Sequence, residues 1–325
     1  MDPDTWIPLK GALLAAGTAR ITGRPADLFI ARSVAGPGAG GEGSVFISID
    51  GRRVRLDLTS DGDILIDHLG DGAVRVTVRG EEYAGILERP ALHCPGQAFI
   101  TVTASCIFSC RYCSVPSLQG RRRTPEEIEA MVASVMGTIS AIALTSGVLE
   151  SIAEEEEYVC GIVSRLTRFA LPIGVSIYPG SETSCRLHQA GAVEVKYNLE
   201  AATPALFAEM CPGLPDGSLR EILRDAVSIF GRGHVFSNVI LGLGETDTEM
   251  EACLESLCAD GVIPVVRPLH PHAGLAHLSR PPADRIIRTC LFLSGRLREH
   301  GLNPGMALTM CPACTGCDLI PGRDD

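Results

Sequence analysis

The sequence predicts an α/β fold, and two patterns that meet near residue 93 support this prediction. After that point, short apolar runs rich in β-branched residues alternate with amphipathic helical segments in six or seven βα units. Before it, apolar and polar residues alternate in short runs that are joined by Asp-Gly pairs. Repeated βα units build a parallel sheet, which closes or partly closes into a barrel. We therefore predict a full or partial TIM-like (βα) barrel with a small N-terminal β-rich domain.

The domain boundaries follow this change of pattern. We predict the β-rich domain over residues 1–93, the barrel over residues 94–310, and a C-terminal cysteine tail over residues 311–325 that packs on the barrel. The barrel strands are predicted at 98–103, 140–145, 172–177, 193–198, 235–241, 263–267 and 305–309. The helices between them are predicted to begin at 124 and to span 150–169, 181–190, 204–210, 219–230, 248–258 and 283–300. Barrel enzymes place their sites at the carboxyl ends of the strands, so we expect functional residues there.

The N-terminal domain is predicted to be a small antiparallel β domain. Asp50-Gly51 and Asp71-Gly72 are signals of tight hairpin turns, because such turns need residues that accept positive φ. The predicted elements are strands at 44–51, 53–58, 63–67 and 73–78, a helix at 5–16 and a flexible glycine-rich loop at 36–43. This domain either covers the mouth of the barrel or contacts a partner, and the residues leave both roles open.

Three cysteines follow the first barrel strand within eight residues. Cys106, Cys110 and Cys113 are spaced Cys-x3-Cys-x2-Cys, so one short loop carries three thiols. Thiolates are the ligands of iron–sulfur clusters and of structural zinc. Three thiolates on a four-iron cluster leave one iron free to bind a small molecule. A zinc knuckle and a redox disulfide are the alternatives, although no further His or Cys follows Cys113 within a few residues.

This motif resembles the Cys-x3-Cys-x-aromatic-Cys of the radical S-adenosylmethionine (SAM) enzymes. The resemblance implies a [4Fe-4S] cluster whose open iron chelates SAM, and an electron transfer that yields a 5′-deoxyadenosyl radical. Tyr112 matches the aromatic position beside the adenine. The resemblance also implies a low-potential electron donor such as ferredoxin, and a substrate that is a small molecule or a protein-bound acyl group.

Two further strand ends match SAM-binding segments of that family. Thr145-Ser146-Gly147 is similar to the glycine-containing motif that meets the methionyl amino group, and the glycine permits close backbone approach. An ordinary strand-to-helix turn is the alternative. Asn198 and Glu200 resemble the Asn-x-Asp/Glu of biotin and lipoyl synthases, which implies binding of the ribose hydroxyls. The alternative there is a helix cap followed by a solvated acid.

The fifth barrel strand ends in Leu241-Gly242-Leu-Gly244-Glu-Thr. This segment resembles the Gly-Leu-Gly-Glu-Thr of the biotin and lipoyl synthases, which packs along the adenine. The chain departs from lipoyl synthase, because that enzyme's N-terminal three-cysteine set and its Arg-Ser-Ser-Tyr segment are absent. The second-cluster ligands of biotin synthase have no clear match either.

A second group of cysteines follows the last predicted strand. Cys311, Cys314 and Cys317 have the Cys-x2-Cys-x2-Cys spacing of iron–sulfur or zinc sites. Because the first and last strands of a barrel are neighbours, Cys94 can supply a fourth thiolate, with His93 as its rival. We predict an auxiliary iron–sulfur cluster at this group, and zinc and free thiols remain the alternatives.

Other polar residues have less specific interpretations. Arg267, His270 and His272 follow the sixth strand and are placed to meet a substrate carboxylate or phosphate, although a surface loop is the alternative for the histidines. The run Arg121–Arg123 lines either a local anion site or the surface. The remaining cysteines are predicted to be core residues on helices (Cys160, Cys253, Cys258 and Cys290) or residues near loops (Cys185 and Cys211).

Composition excludes several classes of protein. A net charge of −11 and a pI near 5.2 argue against nucleic-acid binding. No apolar stretch is long enough for a membrane span, and the N-terminus lacks the pattern of a signal peptide. We therefore expect a cytoplasmic protein with reduced thiols, so that the thirteen cysteines indicate metal sites rather than disulfides.

The sequence thus predicts a radical SAM enzyme of the biotin and lipoyl synthase group. That resemblance implies hydrogen abstraction from an unactivated carbon, followed by sulfur insertion as in an archaeal-type lipoyl synthase. A radical SAM step in cofactor biosynthesis without sulfur transfer is the second candidate. An iron–sulfur or zinc electron carrier is the non-enzyme alternative, and it predicts no SAM binding.

Overall fold

The chain folds around two β-sheets. The structure is a computed structural model that describes residues 1–32, 43–117, 120–215, 217–271 and 273–324. A seven-stranded mixed sheet comes first and a six-stranded parallel sheet follows. The predicted α/β fold with a partial TIM-like barrel is confirmed. Most of the glycine-rich loop at 36–43, and His272, lie outside the described residues.

The N-terminal sheet is built on the two predicted hairpins. Its elements are α1 (Pro3–Ala16), β1 (Thr18–Gly23), β2 (Ile30–Ala31), β3 (Ser44–Ile49), β4 (Arg52–Leu58), β5 (Ile64–Gly70), β6 (Ala73–Val78) and β7 (Glu81–Glu88). Asp50 and Gly51 turn between β3 and β4 with φ of 50° and 79°. The prediction of a purely antiparallel domain was wrong, because β1 pairs in parallel with both β4 and β5. Pairing of β3 with β7 also joins the ends of this sheet into a small barrel.

The second sheet contains parallel strands in chain order. Its strands are β8 (Gln97–Thr101), β9 (Ala141–Thr145), β10 (Ile173–Ser176), β11 (Glu194–Lys196), β12 (Val235–Leu241) and β13 (Ile263–Pro268). The helices are α2 (Pro125–Val135), α3 (Ile152–Leu166), α4 (Thr183–Ala190), α5 (Pro204–Met210), α6 (Leu219–Phe230), α7 (Asp247–Ala259), α8 (Ala283–Glu299) and α9 (Met310–Cys314). Thr124 and Glu127 form the predicted capping box of α2. Because the six strands run parallel, their carboxyl ends meet at one edge of the sheet.

The predicted seventh strand at 305–309 was wrong. Pro304–Met306 forms a 3₁₀ turn, and the following residues enter the barrel instead of pairing with a strand. The backbone N–H groups of Leu308 and Thr309 donate to the carboxylate of Glu194 at 2.9 and 2.8 Å. The Met310 N–H donates to Gln97 Oε1 at 2.7 Å. Side chains thus satisfy the backbone donors that a strand ladder would otherwise satisfy.

The residues from 308 to 324, here called the C-terminal segment, lie between the two sheets. Arg55 N donates to Gly316 O at 2.7 Å, and Arg53 Nη1 donates to Cys314 O at 2.9 Å. Lys10 Nζ on α1 donates to Thr315 O at 2.6 Å. The segment therefore contacts the N-terminal domain as well as the barrel. No helix in the described part of the chain has the length and apolar character needed to cross a membrane.

Candidate functional site

A cavity of about 310 Å³ opens at the carboxyl edge of the parallel sheet. Strand ends supply part of its wall, as expected for a barrel enzyme. Both cysteine groups that the sequence singled out line this one cavity. They are Cys106, Cys110 and Cys113 on the loop after β8, and Cys94, Cys311, Cys314 and Cys317.

The loop after β8 is held close to the next strand end. Ile107 N donates to Val148 O at 2.8 Å, and Val148 N donates to Cys106 Sγ at 3.4 Å. A Cβ on Gly147 would lie 2.1 Å from the carbonyl oxygen of Ser105. The glycine is therefore needed for the cysteine loop itself to approach, a reason that the motif alone did not give. Burial raises the pKa of Cys113 to about 11.

A further thiol lies behind this loop. A hydrogen bond with Cys211, together with burial, raises the pKa of Cys110. The hydroxyl of Tyr112 lies 3.5 Å from Cys211 Sγ, and Cys211 is 1% exposed. Sequence reasoning placed Cys211 near a loop that faces the cavity, but did not connect it with the three loop cysteines, because no spacing links them. Tyr112 lines the cavity, and its place beside the adenine stays a prediction.

The thiols of both groups are available to bind a metal centre. All thirteen cysteines are free of disulfide bonds. Thiolates are the ligands of iron–sulfur clusters and of structural zinc. The donor chemistry of both groups therefore fits either kind of centre.

Asn198 and Glu200 both line the cavity, and their binding of ribose stays a prediction. Glu200 has φ of +63°, which is unusual for a residue with a side chain. Two backbone hydrogen bonds to β12 hold it there, from Glu200 N to Asn238 O at 2.8 Å and from Ile240 N to Glu200 O at 2.7 Å. Burial raises the pKa of Glu200. Strained backbone held in place by its neighbours is typical of functional sites.

The Thr145-Ser146-Gly147 segment also lines the cavity. The hydroxyl of Ser146 does not face a ligand, however, because it donates to Glu155 Oε1 at 2.6 Å and accepts from Thr103 N at 3.0 Å. A contact of Ser146 with SAM would therefore involve its backbone. The roles predicted for Thr145 and Gly147 stay predictions.

The glycine-rich end of β12 lies away from the cavity wall. Leu241, Gly242 and Gly244 are not among the residues that line it, whereas Asn238 and Ile240 are. The carboxylate of Glu245 turns back onto this loop and accepts from Gly242 N at 2.7 Å and from Leu243 N at 2.9 Å. Packing of the loop along an adenine stays a prediction.

The second cysteine group is brought together by the C-terminal segment. A hydrogen bond from the Cys94 thiol lowers the pKa of Cys314 to about 6. His93 lines the same wall, and its Nδ1 has no hydrogen-bond partner among the described residues. Burial lowers the pKa of His93 to about 3, so its imidazole is neutral and capable of binding a metal. Cys94 and His93 therefore both remain candidates for the fourth ligand of this group.

The predicted anion-binding residues are largely neutralised by nearby acids. Arg267 lines the cavity and forms a salt bridge with Asp318 at 3.0 Å. His270 also lines the cavity, and its ring lies 3.5 Å from Asp57 in the N-terminal domain. In the arginine run, Arg121 pairs with Glu127 and Arg122 pairs with Glu154 and Glu155, whereas Arg123 donates to the backbone oxygen of Thr101. Of the four helix cysteines, Cys160 is partly exposed and the other three are buried as predicted.

Sequence reasoning missed several residues of the cavity wall. Ser176 and Lys196 each end a strand, so the strand-end rule alone would have found them. Asp318 has no local signal, because the C-terminal segment reaches the cavity only through contacts between distant parts of the chain. The other missed residues include Phe99, Thr101, Asn238 and Ile240.

Comparison with known proteins identifies one family model. Residues 100–257 match the model described as the Radical SAM superfamily. No curated protein matches the chain.

Three solved structures illustrate the shared fold. The FeFe-hydrogenase maturase HydG from Carboxydothermus hydrogenoformans has 20% identity and a TM-score of 0.52, over 64% of this chain and 52% of that one. Methylornithine synthase (PylB) has 18% identity and a TM-score of 0.54, over 62% of this chain and 63% of that one. Streptococcus suis SuiB bound to S-adenosylmethionine has 10% identity and a TM-score of 0.52, over 63% of this chain and 48% of that one. The chain thus spans about half to two thirds of these structures.

Proposed function

We propose that this chain, whose residues 100–257 match the Radical SAM superfamily model, cleaves SAM reductively and abstracts hydrogen from its substrate. The observation that carries the proposal is the shared cavity. The three-cysteine loop after the first barrel strand lines it together with the Asn198 and Glu200 pair. The proposed cluster site and the proposed nucleoside site thus share one cavity.

Each part of the wall has a role in this proposal. Cys106, Cys110 and Cys113 would hold a [4Fe-4S] cluster, which supplies the electron that cleaves SAM. Asn198 and Glu200 offer a hydrogen-bond donor and a carboxylate acceptor to the ribose hydroxyls. The surrounding wall positions the substrate and excludes water from the radical.

The second cysteine group supports two finer proposals. Cys94, Cys311, Cys314 and Cys317 would hold an auxiliary iron–sulfur cluster that faces the same cavity. Sulfur insertion, as in biotin and lipoyl synthases, is then the favoured reaction, because a sulfide source would lie beside the substrate radical. The second candidate is a radical step without sulfur transfer, in which this cluster carries electrons or anchors substrate. Iron counting on a Cys106/Cys110/Cys113→Ala variant tests for the cluster, since about four irons should remain.

The partners follow from the same proposal. The substrate would be a small molecule or a protein-bound acyl group, and a low-potential donor such as ferredoxin would supply electrons. The net charge of −11 argues against nucleic acid as a partner.

The experiment that tests the proposal measures 5′-deoxyadenosine formed from SAM under anaerobic, reducing conditions. The wild-type protein and a Cys160→Ala control, whose thiol lies on α3 outside the cavity, should both form it. The Cys106/Cys110/Cys113→Ala variant should form none. Continued cleavage of SAM by that variant would overturn the assignment.

A further inference from the structure

The chain has only two lysines, Lys10 and Lys196, and the rest of its basic side chains other than histidine are arginines. Both lysines are buried, with 0% and 5% exposure. Both also donate to the C-terminal segment, Lys10 to Thr315 O at 2.6 Å and Lys196 to Cys311 Sγ at 3.4 Å. A buried ammonium group is costly unless an anion or several acceptors compensate it. The groups that each lysine contacts therefore decide how far the cost of its burial is compensated.

The two lysines differ in how their charge is compensated. Lys10 forms a salt bridge with Asp324 at 2.8 Å. Lys196 forms no salt bridge within the described part of the chain, and its hydrogen bond is to the sulfur of Cys311. A neutral thiol is a weak acceptor and gives little compensation for a buried cation. The carboxylates of Glu200 and Asp318 interact with Lys196 electrostatically and supply compensation for its charge.

A second cation reaches the same sulfur. Arg267 Nη2 donates to Cys311 Sγ at 3.2 Å and to Asp318 Oδ2 at 3.0 Å, and the residue is 9% exposed. Two cationic side chains therefore donate to the one sulfur of Cys311. Their N–H groups are in place to stabilise negative charge on that sulfur when it binds a cluster.

We propose that Lys196 and Arg267 donate N–H···S hydrogen bonds to a cluster-bound Cys311 and raise the reduction potential of the second iron–sulfur centre. This inference rests on the auxiliary cluster proposed above. Reduction adds negative charge to a cluster, so hydrogen bonds and cations at a ligating sulfur stabilise the reduced form. Lys196 and Arg267 are positioning residues in this account, because they act through Cys311.

The test is a redox titration that is followed by electron paramagnetic resonance. It uses the Cys106/Cys110/Cys113→Ala background, in which only the second centre remains. Lys196→Met keeps the length of the side chain and removes its charge and N–H donors. We expect about a tenfold lower ratio of reduced to oxidised cluster at a fixed potential, which corresponds to about 59 mV for a one-electron couple.

Three further variants provide an independent result, a partial rescue and a control. Arg267→Gln should lower the potential in the same direction, and Arg267→Lys, which keeps the charge, should restore part of the shift. Arg220→Met removes an arginine that lies 3.9 Å from the thiol of Cys253, outside the cavity, and should leave the potential unchanged.

The outcomes separate the inference from the proposed function. If the Cys106/Cys110/Cys113→Ala protein contains no iron, the second cluster does not exist and the auxiliary site of the proposed function is overturned. A loaded cluster whose potential is the same in Lys196→Met, Arg267→Gln and the parent would overturn only this inference. A potential raised by either substitution would also overturn it.

Discussion

Thr309 Oγ1 donates a hydrogen bond of 2.6 Å to Glu194 Oε2, although the two residues are 115 positions apart in the sequence. Both side chains are completely buried. Glu194 begins β11, so the contact fixes the C-terminal segment at the amino end of the parallel sheet. From there the segment brings Cys311, Cys314 and Cys317 to the cavity.

The substitution Gly174→Ala tests how tightly the C-terminal segment is held. A Cβ at Gly174 would lie 2.0 Å from Thr309 Oγ1, so Gly174→Ala must displace Thr309 from its contact with Glu194. We expect a loss of about 1–3 kcal/mol in the free energy of unfolding, measured with urea. Faster reaction of the segment's cysteines with a thiol reagent should accompany it.

Gly161→Ala is the matched control for this substitution. Gly161 lies inside α3, and a Cβ there meets nothing within 4 Å. Replacing a helical glycine by alanine should stabilise the protein by about 0.5–1 kcal/mol. Equal effects of the two substitutions would show that the segment does not fill the space beside Gly174.

Lys10→Met should be strongly destabilising. It leaves the buried carboxylate of Asp324 without its cation, at a cost of about 3–5 kcal/mol. Arg75→Met breaks an exposed ion pair with Glu82 and should change stability by less than about 1 kcal/mol. Urea unfolding of both variants measures the difference, and a small effect of Lys10→Met would contradict the burial of this pair.

Gly147→Ala should disturb the first cluster site. The added Cβ would lie 2.1 Å from Ser105 O and 3.2 Å from Cys106 Cβ, so the cysteine loop must move. We expect less iron bound per chain after anaerobic reconstitution, whereas Gly295→Ala, in an open position on α8, should bind as much iron as the wild type. Normal iron content in Gly147→Ala would show that the loop tolerates displacement.

Glu200→Gln should change stability in a pH-dependent way. Burial raises the pKa of Glu200 above the ordinary value of 4.5, so the native state holds this proton more tightly than the unfolded state does. Ionisation of Glu200 therefore costs the wild type stability as pH rises through the raised pKa, and glutamine avoids that cost. Urea unfolding should show the variant to be more stable at pH 7, with an advantage that shrinks as pH falls towards 4.5. An advantage independent of pH would contradict this explanation.

The same substitution should weaken SAM binding. If the carboxylate accepts a ribose hydroxyl, its loss should cost about 1–3 kcal/mol of binding free energy. Calorimetric titration of SAM into the reconstituted protein measures this cost. Unchanged affinity would reject Glu200 as a ribose ligand.

Local signals predicted much of the fold. The capping box at Thr124 and the turn at Asp50-Gly51 were found because their chemistry lies within a few residues. The parallel pairing of β1 was missed, since it depends on partners at residues 57–68 rather than on an adjacent strand. Residues 305–309 have an apolar pattern typical of a strand, but Glu194 takes two backbone donors just beyond the 3₁₀ turn.

Local signals likewise predicted only part of the candidate site. The spacing of Cys106, Cys110 and Cys113 predicted a cluster loop at a strand end, and that loop lines the cavity. The contact between Lys196 and Cys311 has no signal in either segment alone, because it arises from the path of the C-terminal segment.

The central claim is that a cluster on the Cys106, Cys110 and Cys113 loop binds SAM. Electron paramagnetic resonance of the reduced, reconstituted protein tests it most directly, because SAM bound to an open iron changes the surroundings of the unpaired electron. We expect that adding SAM changes the spectrum of the wild type and leaves that of the Cys106/Cys110/Cys113→Ala variant unchanged. A wild-type spectrum that SAM does not alter, or a SAM-dependent change that persists in the variant, would contradict it.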